Sequence, residues 1–441
     1  MNFPESLEYL YNLGNEVLAM KLGLASTEKL LAALGNPEKN FLKVQVAGTN
    51  GKGSTCAFLD AICRSGEIKT GLFTSPHLIS ITERIKINGA EISETDFARH
   101  ATRIRKISEK LVEENQLEAV PTFFEQMTAI AVSAFAEAEI ELAILETGLG
   151  GRFDSVTATR AEIVAITPID FDHQQILGNS LQEIAAEKAA IIREDTKVVI
   201  AKQNEEALKV IIERCKEKKV LPIVNDCIIY TDDLPEISFR TQTEVYSHIW
   251  IALEGEHQYE NACVAINLAE ILNKNFGLPI SQYEIIDGLQ KAKHKGRLEW
   301  YFAAETRILF DGAHNIASAA ALKKYLLRQG TENTKITIVF GAMKDKDLVQ
   351  IGELIFPFAE NLILTKPDNP RSAEVEELRK IAEKIIGKSK IFIVADVADA
   401  IDSAKQITST YTATKNSFIC VTGSLYLVGE AQKLLNNKSE I

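Results

Sequence analysis

The most informative stretch for the fold of this sequence is Val44-Gln45-Val46-Ala47-Gly48-Thr49-Asn50-Gly51-Lys52-Gly53-Ser54-Thr55. Apolar residues typical of a buried strand run into a glycine-rich turn, and the helical pattern Cys56–Cys63 follows. In such a turn glycines let the backbone wrap an anion, the helix N-terminus points N–H groups at it, and a lysine adds positive charge. The stretch predicts a phosphate-binding loop at residues 47–54, whose candidate nucleotide ligands are Gly48, Thr49, Asn50, Gly51, Lys52, Gly53 and Ser54.

This loop departs from the usual P-loop formula, which has glycine six residues before the lysine and Ser or Thr directly after it. Val46 and Gly53 occupy those two positions here. The alternative is a glycine-rich turn that binds no nucleotide. The strand before the turn and the helix after it favour nucleotide binding.

The composition is that of a soluble globular enzyme with two or three domains: 441 residues, 46% hydrophobic and 25% charged. The net charge is −12 and no basic cluster stands out, so nucleic acid is not an expected partner. There is no signal-peptide pattern and no run of about 18 apolar residues, which predicts a cytoplasmic protein without a membrane partner. Scattered cysteines without a Cys-x-x-Cys pair predict reduced core thiols.

Short apolar runs alternate with helical patterns, which predicts an α/β fold with a mainly parallel sheet and a small antiparallel part. The expected strands are Lys43–Ala47, Thr70–Thr74, Leu142–Glu146, Ile163–Thr167 and Val198–Ala201, with a hairpin at Asn88-Gly89 and antiparallel strands within Pro222–Ile251. The pattern restarts near residue 297, with expected strands at Ile308–Asp311, Ile336–Gly341, Leu362–Thr365, Ile391–Val394 and Phe418–Thr422. We therefore expect a P-loop ATPase-like domain over residues 1–297 and a smaller Rossmann-like α/β domain over residues 298–441.

Two strand ends carry candidate metal ligands. Glu146 ends an apolar strand, at the edge where open α/β sheets bind ligands, and can hold Mg²⁺ directly or through water. His173 follows the second strand, Ile163–Thr167. The alternatives are a solvated loop carboxylate for Glu146 and a structural histidine for His173.

Lys188 occupies a position that should be buried. Ile184, Lys188, Ile191 and Ile192 have the spacing of one helix face, so the lysine falls on the apolar stripe. A buried ammonium is costly unless it pairs, deprotonates, snorkels or is modified. Snorkelling to solvent is the ordinary outcome, and a role at the phosphate-loop site is the alternative.

Several motifs occur in the order found in folylpolyglutamate synthases and dihydrofolate synthases of the Mur ligase superfamily, which this sequence resembles over nearly its whole length. The matching stretches are Met20–Leu24, Ala47–Ser54, Phe73–Leu78, Glu146–Asp154, Asp172-His173, Glu187–Ala189, Gly255–Gln258, Asn261-Ala262, Gly296–Glu299, Asp311–Asn315, Gly341–Asp347 and Gly423–Tyr426. In that family the atypical phosphate loop is normal.

The resemblance implies an ATP site with two Mg²⁺ ions. Besides the phosphate loop, its nucleotide ligands would be Asn261, Arg297, Asp311 and His314, and its metal ligands would be Ser75, Glu146 and His173. Its catalytic residues would be Lys52, Lys188, His173 and Arg297, with Lys188 at the position of a lysine that is carbamylated in the family.

The resemblance also implies the activity: an ATP-dependent amide ligase, monomeric, that adds L-glutamate to dihydropteroate or to the glutamate tail of reduced folates through an acyl phosphate. Its substrate candidates are Arg152 and Asp154. Phe124, in the apolar segment Pro121–Glu125, is a third candidate as part of a pterin pocket, with core packing as the ordinary alternative. The family's Leu-Asp-Ala-Thr-Asn is replaced here by Phe153-Asp154-Ser155-Val156-Thr157, close to the pteridine-binding region of relatives.

Two alternatives stay open. One is another amino-acid ligase of the Mur superfamily, although only 47 residues precede Gly48, few for the separate N-terminal domain of peptidoglycan-precursor ligases. The other is a nucleotide-binding module without ligase activity, which has no need of Lys188, His173 and Arg297 together.

Overall fold

The computed structural model describes residues 1–14, 23–224, 228–231, 236–303, 306–330, 334–411 and 417–438. The chain divides into two compact units. The first comprises Met1–His77, Ile81–Ala252 and Tyr259–Lys293, and the second Leu78–Ser80, Leu253–Gln258 and His294–Ile441. Met20, Lys21 and Leu22 of the first family motif, and Cys227, lie outside the described residues.

The first unit is built on a large sheet. Its strands are β1 (Leu42–Ala47), β2 (Thr70–Phe73), β3 (Ile85–Ile87), β4 (Ala90–Glu91), β5 (Leu142–Glu146), β6 (Ile163–Ile166), β7 (Lys197–Ile200) and β8 (Pro222–Val224). Their order is β4-β3-β2-β5-β1-β6-β7-β8; the run from β2 to β8 is parallel, and β3 and β4 are antiparallel. β5, β6 and nearly all of β1 are buried, as is usual for parallel strands covered on both faces.

The predicted hairpin is confirmed. Asn88 and Gly89 join β3 to β4 with φ of +49° and +82°. A type I′ turn needs positive φ at both central residues, which is why Asn-Gly is found there.

The prediction of antiparallel strands within Pro222–Ile251 is correct only in part. The strands β9 (Ile228–Thr231), β10 (Ile237–Arg240) and β11 (Val245–Ile249) form an antiparallel sheet in the order β11-β10-β9. The strand β8 instead pairs parallel with β7 at the edge of the large sheet. A helix lies between β7 and β8 in the chain, and such a crossover is what two parallel neighbours require.

The helices of the first unit include two that are almost wholly buried. These two are α3 and α5. The helices are α1 (Phe3–Asn12), α2 (Ala25–Ala33), α3 (Lys52–Ser65), α4 (Glu94–Glu113), α5 (Phe123–Glu137), α6 (Gln174–Leu177), α7 (Leu181–Ala189), α8 (Glu205–Glu217), α9 (His257–Phe276), whose first two residues belong to the second unit, and α10 (Gln282–Lys291). The helix α3 packs on β1, β2 and β5, and α10 packs on α3. The helix that follows the phosphate loop is therefore fixed at the centre of the unit.

The second unit has its own mixed sheet. Its strands are β12 (Glu299–Ala303), β13 (Thr306–Asp311), β14 (Ile336–Phe340), β15 (Ala359–Leu364), β16 (Ile391–Ile393) and β17 (Phe418–Thr422). The order is β12-β13-β17-β14-β15-β16, parallel except for β12, and the helices are α11 (Ile316–Gln329), α12 (Leu348–Ile355), α13 (Val375–Ile385), α14 (Val397–Ser409) and α15 (Leu425–Lys438). The expected strands are confirmed, whereas the antiparallel edge strand β12 was not predicted.

Five of the cysteines are described, and all five are buried free thiols, as predicted: Cys56, Cys63, Cys215, Cys263 and Cys420. None of the helices in the described ranges is both long and apolar enough to cross a membrane.

Candidate functional site

The candidate residues of the first unit gather at the carboxyl edge of its sheet. The strands β5, β1 and β6 are neighbours, and their register pairs Val46 with Glu146 on one side and with Ala165 on the other. The segments that leave these strands therefore start side by side. This edge is where open parallel sheets bind ligands.

The phosphate loop is pinned to the segment that follows β6. The backbone N–H of Thr49 donates to the carbonyl of Pro168 at 3.0 Å, and its hydroxyl donates to the carbonyl of Asp170 at 3.0 Å. Gly48 has φ of +152°, and a Cβ there would lie 1.9 Å from Thr167 Oγ1. Only glycine fits this position, because both the backbone conformation and the space exclude a side chain.

Asn261 lies against the same loop. Gly51, at φ of +85°, precedes the first residue of α3, and a Cβ on it would be 2.2 Å from Asn261 Oδ1. The structure thus brings Asn261, a predicted nucleotide ligand, next to the predicted phosphate ligands. Its glycines keep the loop backbone open at the N-terminus of a buried helix, the arrangement that binds phosphate.

Two lysines converge on one carbonyl oxygen of the loop. Lys188 Nζ donates to the Gly48 carbonyl at 2.7 Å, and Lys52 Nζ donates to the same oxygen at 3.1 Å and to the Thr49 carbonyl at 3.2 Å. Lys188 is only 4% exposed. The expectation that it snorkels to solvent is wrong, because its stem points under the loop and its amine finds a buried acceptor there.

The pKa of Lys188 is lowered from 10.5 to about 7. Burial is the main cause, and the nearby positive charge of Lys52 adds to it, while Asp172 and Asp154 act in the opposite direction. At pH 7 to 8 a large fraction of this amine is therefore neutral. A neutral amine is a nucleophile, which an ordinary lysine ammonium is not.

We predict that Lys188→Met changes the pH dependence of stability. Between the folded pKa of about 7 and the unfolded value of 10.5, the unfolded chain binds more protons, so wild-type stability rises with pH by up to about 1.4 kcal/mol per unit. Methionine removes this term. The free energy of unfolding of Lys188→Met minus that of wild type should be most positive at pH 7 and fall toward pH 10.

Urea unfolding of both proteins in degassed buffers from pH 7 to pH 10 measures this difference. Lys197→Met, which removes an exposed lysine on β7, is the matched control and should show a difference independent of pH. A pH-independent difference for Lys188→Met as well would refute the lowered pKa.

The structure brings together two of the three predicted metal ligands. The backbone N–H of Ser75 donates to Glu146 Oε2 at 3.1 Å, and Glu146 is 6% exposed. His173 follows β6, with Asp172 Oδ1 3.9 Å from its Nε2 and accepting its backbone N–H at 2.9 Å. Across the described ranges, no group of three or more His, Cys, Asp and Glu side chains is arranged to hold a metal by itself.

The three predicted substrate residues have different surroundings. The ring of Phe124 covers Gly148, where a Cβ would lie 2.5 Å from its Cζ. Arg152 pairs at the surface with Glu187, Nε to Oε1 at 2.8 Å. Asp154 is buried, which raises its pKa to about 6, and accepts backbone N–H groups of Leu149 and Val156. Asp154 therefore closes the loop after β5.

The second unit brings its three predicted nucleotide ligands together. Both carboxylate oxygens of Asp311 accept backbone N–H groups, from Leu298 and Ala313 at 3.0 Å each. Burial raises the pKa of Asp311 to about 6, against the opposing charge of Arg297. His314 Nδ1 lies 2.7 Å from the Gly312 carbonyl, so Nδ1 carries a proton and donates it to that oxygen.

Arg297 belongs to the same constellation. A Cβ on Gly312 would lie 2.6 Å from Arg297 Nη1, so the guanidinium crosses the backbone just after β13. The sequence analysis did not identify Thr167, whose side chain fills the space next to Gly48. It also did not identify the hydrogen bonds that hold the backbone on either side of Arg297. The position of Thr167 at the end of a predicted strand beside the phosphate loop was the available signal.

Comparison with known proteins gives consistent results along the chain. Residues 46–269 match the Mur ligase middle domain, and residues 296–425 match the Mur ligase glutamate ligase domain. A dihydrofolate synthase/folylpolyglutamate synthase of Bacillus subtilis is 36% identical over 431 residues, covering 96% of this chain and 97% of the relative.

Solved structures of folylpolyglutamate synthases are similar to this chain over nearly its whole length. Mycobacterium tuberculosis folylpolyglutamate synthase, in complex with ADP and AMPPCP, superposes with a TM-score of 0.88 at 29% identity, covering 98% of this chain and 99% of that one. A bifunctional folylpolyglutamate synthase/dihydrofolate synthase of Yersinia pestis, in complex with AMPPNP and a manganese ion, has a TM-score of 0.84 at 25% identity, covering 99% and 98%.

Proposed function

Because the chain belongs to the Mur ligase family, among its folylpolyglutamate and dihydrofolate synthases, we propose that it joins L-glutamate both to dihydropteroate and to the glutamate tail of reduced folates. It is an ATP-dependent amide ligase. The observation that carries the proposal is the convergence of Lys52 and Lys188 on the Gly48 carbonyl, beside the pair Ser75 and Glu146. A simple nucleotide-binding module has no use for a second, buried lysine under its phosphate loop.

The residues at the strand ends fit a magnesium ion. A carboxylate and a hydroxyl are oxygen ligands of the kind Mg²⁺ prefers, and this ion usually keeps waters and binds one or two carboxylates plus substrate phosphates. The described part of the chain holds no larger acidic cluster, and a site of this kind does not need one. Ser75, Glu146 and His173 would hold the metal, which when bound supplies positive charge opposite the phosphate oxygens.

The chemistry begins with a carboxylate, which does not react with an amine at useful rates at neutral pH. The substrate carboxylate attacks the γ-phosphorus of ATP, giving an acyl phosphate and ADP. The amine of glutamate then attacks the acyl carbon and expels inorganic phosphate. In the first step Lys52 would exchange its contacts with the Gly48 and Thr49 carbonyls for phosphate oxygens, since phosphoryl transfer depends mainly on positioning and charge.

Lys188 has the properties needed for carbamylation. Its neutral amine can attack carbon dioxide to form a carbamate with release of one proton, and its low pKa makes that form available near neutral pH. The product carries a negatively charged carboxylate where a neutral amine stood. We propose that this anionic side chain and His173 orient the acyl group during the second step.

We predict that Arg297→Ala lowers kcat by about 10²-fold to 10³-fold and changes ATP affinity much less. The reason is that the guanidinium would neutralise charge that develops on the transferring phosphoryl group. Steady-state ligation rates and ATP titrations measure the two quantities separately. Arg379→Ala, which removes an arginine from the surface of α13, is the control and should match wild type; an unchanged kcat for Arg297→Ala would remove Arg297 from the reaction.

The substrate proposal is tested with radiolabelled L-glutamate, ATP and Mg²⁺, offering dihydropteroate and tetrahydrofolate as separate acceptors. Label on both acceptors is expected. Label on one only would restrict the enzyme to that reaction and direct attention to Phe153–Thr157, where the chain departs from the family pattern. Label on neither would overturn the proposal. The monomeric state and the cytoplasmic location stay predictions.

A further inference from the structure

The turn that carries Arg297 has a conformation that its sequence does not favour. Gly296 and Leu298, the residues on either side, have φ of +68° and +49°, both in the left-handed region. For a leucine this region is disfavoured, because its Cβ crowds the backbone. Such a residue persists only where the surrounding structure holds it, and these positions cluster at functional sites.

Two carboxylates hold the turn from opposite ends. Asp311 Oδ2 accepts the backbone N–H of Leu298 at 3.0 Å, and Glu299 Oε2 accepts the backbone N–H of Gly296 at 2.7 Å. The carbonyl of Gly296 in turn accepts the N–H of Gly312 at 2.9 Å. The residues before and after Arg297 are thus both tied down through their amides.

Glu299 is itself held in place by a distant helix. Gln432 on α15, which is 8% exposed, donates from Nε2 to the same Glu299 Oε2 at 2.8 Å. Glu299 is also the first residue of β12, where it pairs with Phe310 of β13. A chain of contacts therefore runs from α15 through one carboxylate oxygen to the turn.

The direction of the Arg297 side chain depends on this turn. The guanidinium passes within 2.6 Å of where a Cβ of Gly312 would stand, so it lies directly against the Gly312 backbone, which is itself hydrogen-bonded to the turn. We infer that Glu299, braced by Gln432, is a positioning residue that aims Arg297 at the transferring phosphoryl group. This inference rests on the proposed function of Arg297.

The kinetic test is a double-mutant cycle. Glu299→Ala is expected to lower kcat by about 10-fold to 10²-fold, the scale of an ångström misplacement, with little change in the KM for ATP. Glu299→Gln should retain most activity, because its amide oxygen can accept both hydrogen bonds. In the Arg297→Ala background Glu299→Ala should cause no further loss. Glu376→Ala, at an exposed carboxylate of the same unit, is the control.

A second measurement does not depend on turnover. Hydrogen exchange of the Gly296 amide should become faster in Glu299→Ala and in Gln432→Leu but not in Glu376→Ala. Unchanged exchange, or kinetic losses that multiply in the double variant, would overturn the inference. Absence of ligation in wild type would instead overturn the proposed function, and the exchange rates would still decide whether Glu299 holds the turn.

Discussion

Replacing Lys188 with alanine is expected to lower the rate of glutamate ligation by about 10³-fold or more while leaving ATP binding largely intact. The amine lies under the phosphate loop, 2.7 Å from the Gly48 carbonyl and out of solvent. ATP binding should survive because Lys52 is still present in the loop to contact the phosphate oxygens. Ligation rates with radiolabelled glutamate and calorimetric titration with ATP measure the two effects.

Chemical rescue separates the possible roles of this lysine. If the working group is a carbamate, formate or acetate should enter the space left in Lys188→Ala and restore part of the rate. Lys52→Ala is the matched control, because it removes a neighbouring amine of the same loop and should not respond to small carboxylates. Rescue by methylamine alone would assign the role to the amine itself, and wild-type ligation by Lys188→Ala would exclude Lys188 from the reaction.

Gly48→Ala is expected to abolish ATP binding and to lower the free energy of unfolding by about 3 kcal/mol or more. The added Cβ would lie 1.9 Å from Thr167 Oγ1 and 2.9 Å from the Thr167 carbonyl oxygen. Rotating the threonine relieves only the first contact, because the second is with the backbone of Thr167, the residue that directly follows β6. The loop must therefore move away from the segment to which Thr49 is bonded, and the phosphate cradle is lost with it.

Gly35→Ala is the control for backbone strain alone. Gly35 has φ of +89°, but a Cβ there would meet nothing within 4 Å. Its expected cost is about 1 kcal/mol, without effect on ATP binding. Thermal and urea unfolding with ATP titration measure both variants, and a Gly48→Ala protein that binds ATP normally would show that the loop is not held as described.

The fold was predictable where its strands are buried on both faces. β5 was expected at Leu142–Glu146 and is found there, because an apolar run of five residues has the length of a strand and is too short for a helix. The pairing of the two edge strands β8 and β12 was harder to predict from the sequence. β8 pairs parallel with β7 because a crossover helix joins the two strands, and β12 pairs antiparallel with β13, the next strand in the chain. Neither arrangement is visible in the local sequence pattern of the edge strand itself.

In the candidate site, too, residues that stand out in their local sequence were predictable, whereas contacts between residues far apart in the chain were not. Lys188 was detectable because a charge on an apolar helix face breaks the 3.6-residue period. Its acceptor, the Gly48 carbonyl, lies 140 residues away in the chain and only the fold reveals it. The contact between Glu299 and Gln432 spans 133 residues and was likewise inaccessible to motif reasoning.

The central claim, that the substrate carboxylate is activated by transfer of the γ-phosphoryl group, is tested most directly by oxygen-18 transfer. Dihydropteroate carrying ¹⁸O in its carboxylate is incubated with the protein, ATP, Mg²⁺ and L-glutamate, and the phosphate released is analysed by mass spectrometry. Each amide bond formed should place one ¹⁸O atom in inorganic phosphate, because the bridging oxygen of the acyl phosphate leaves with the phosphate. Unlabelled phosphate alongside amide product, or ¹⁸O recovered in AMP, would contradict the claim.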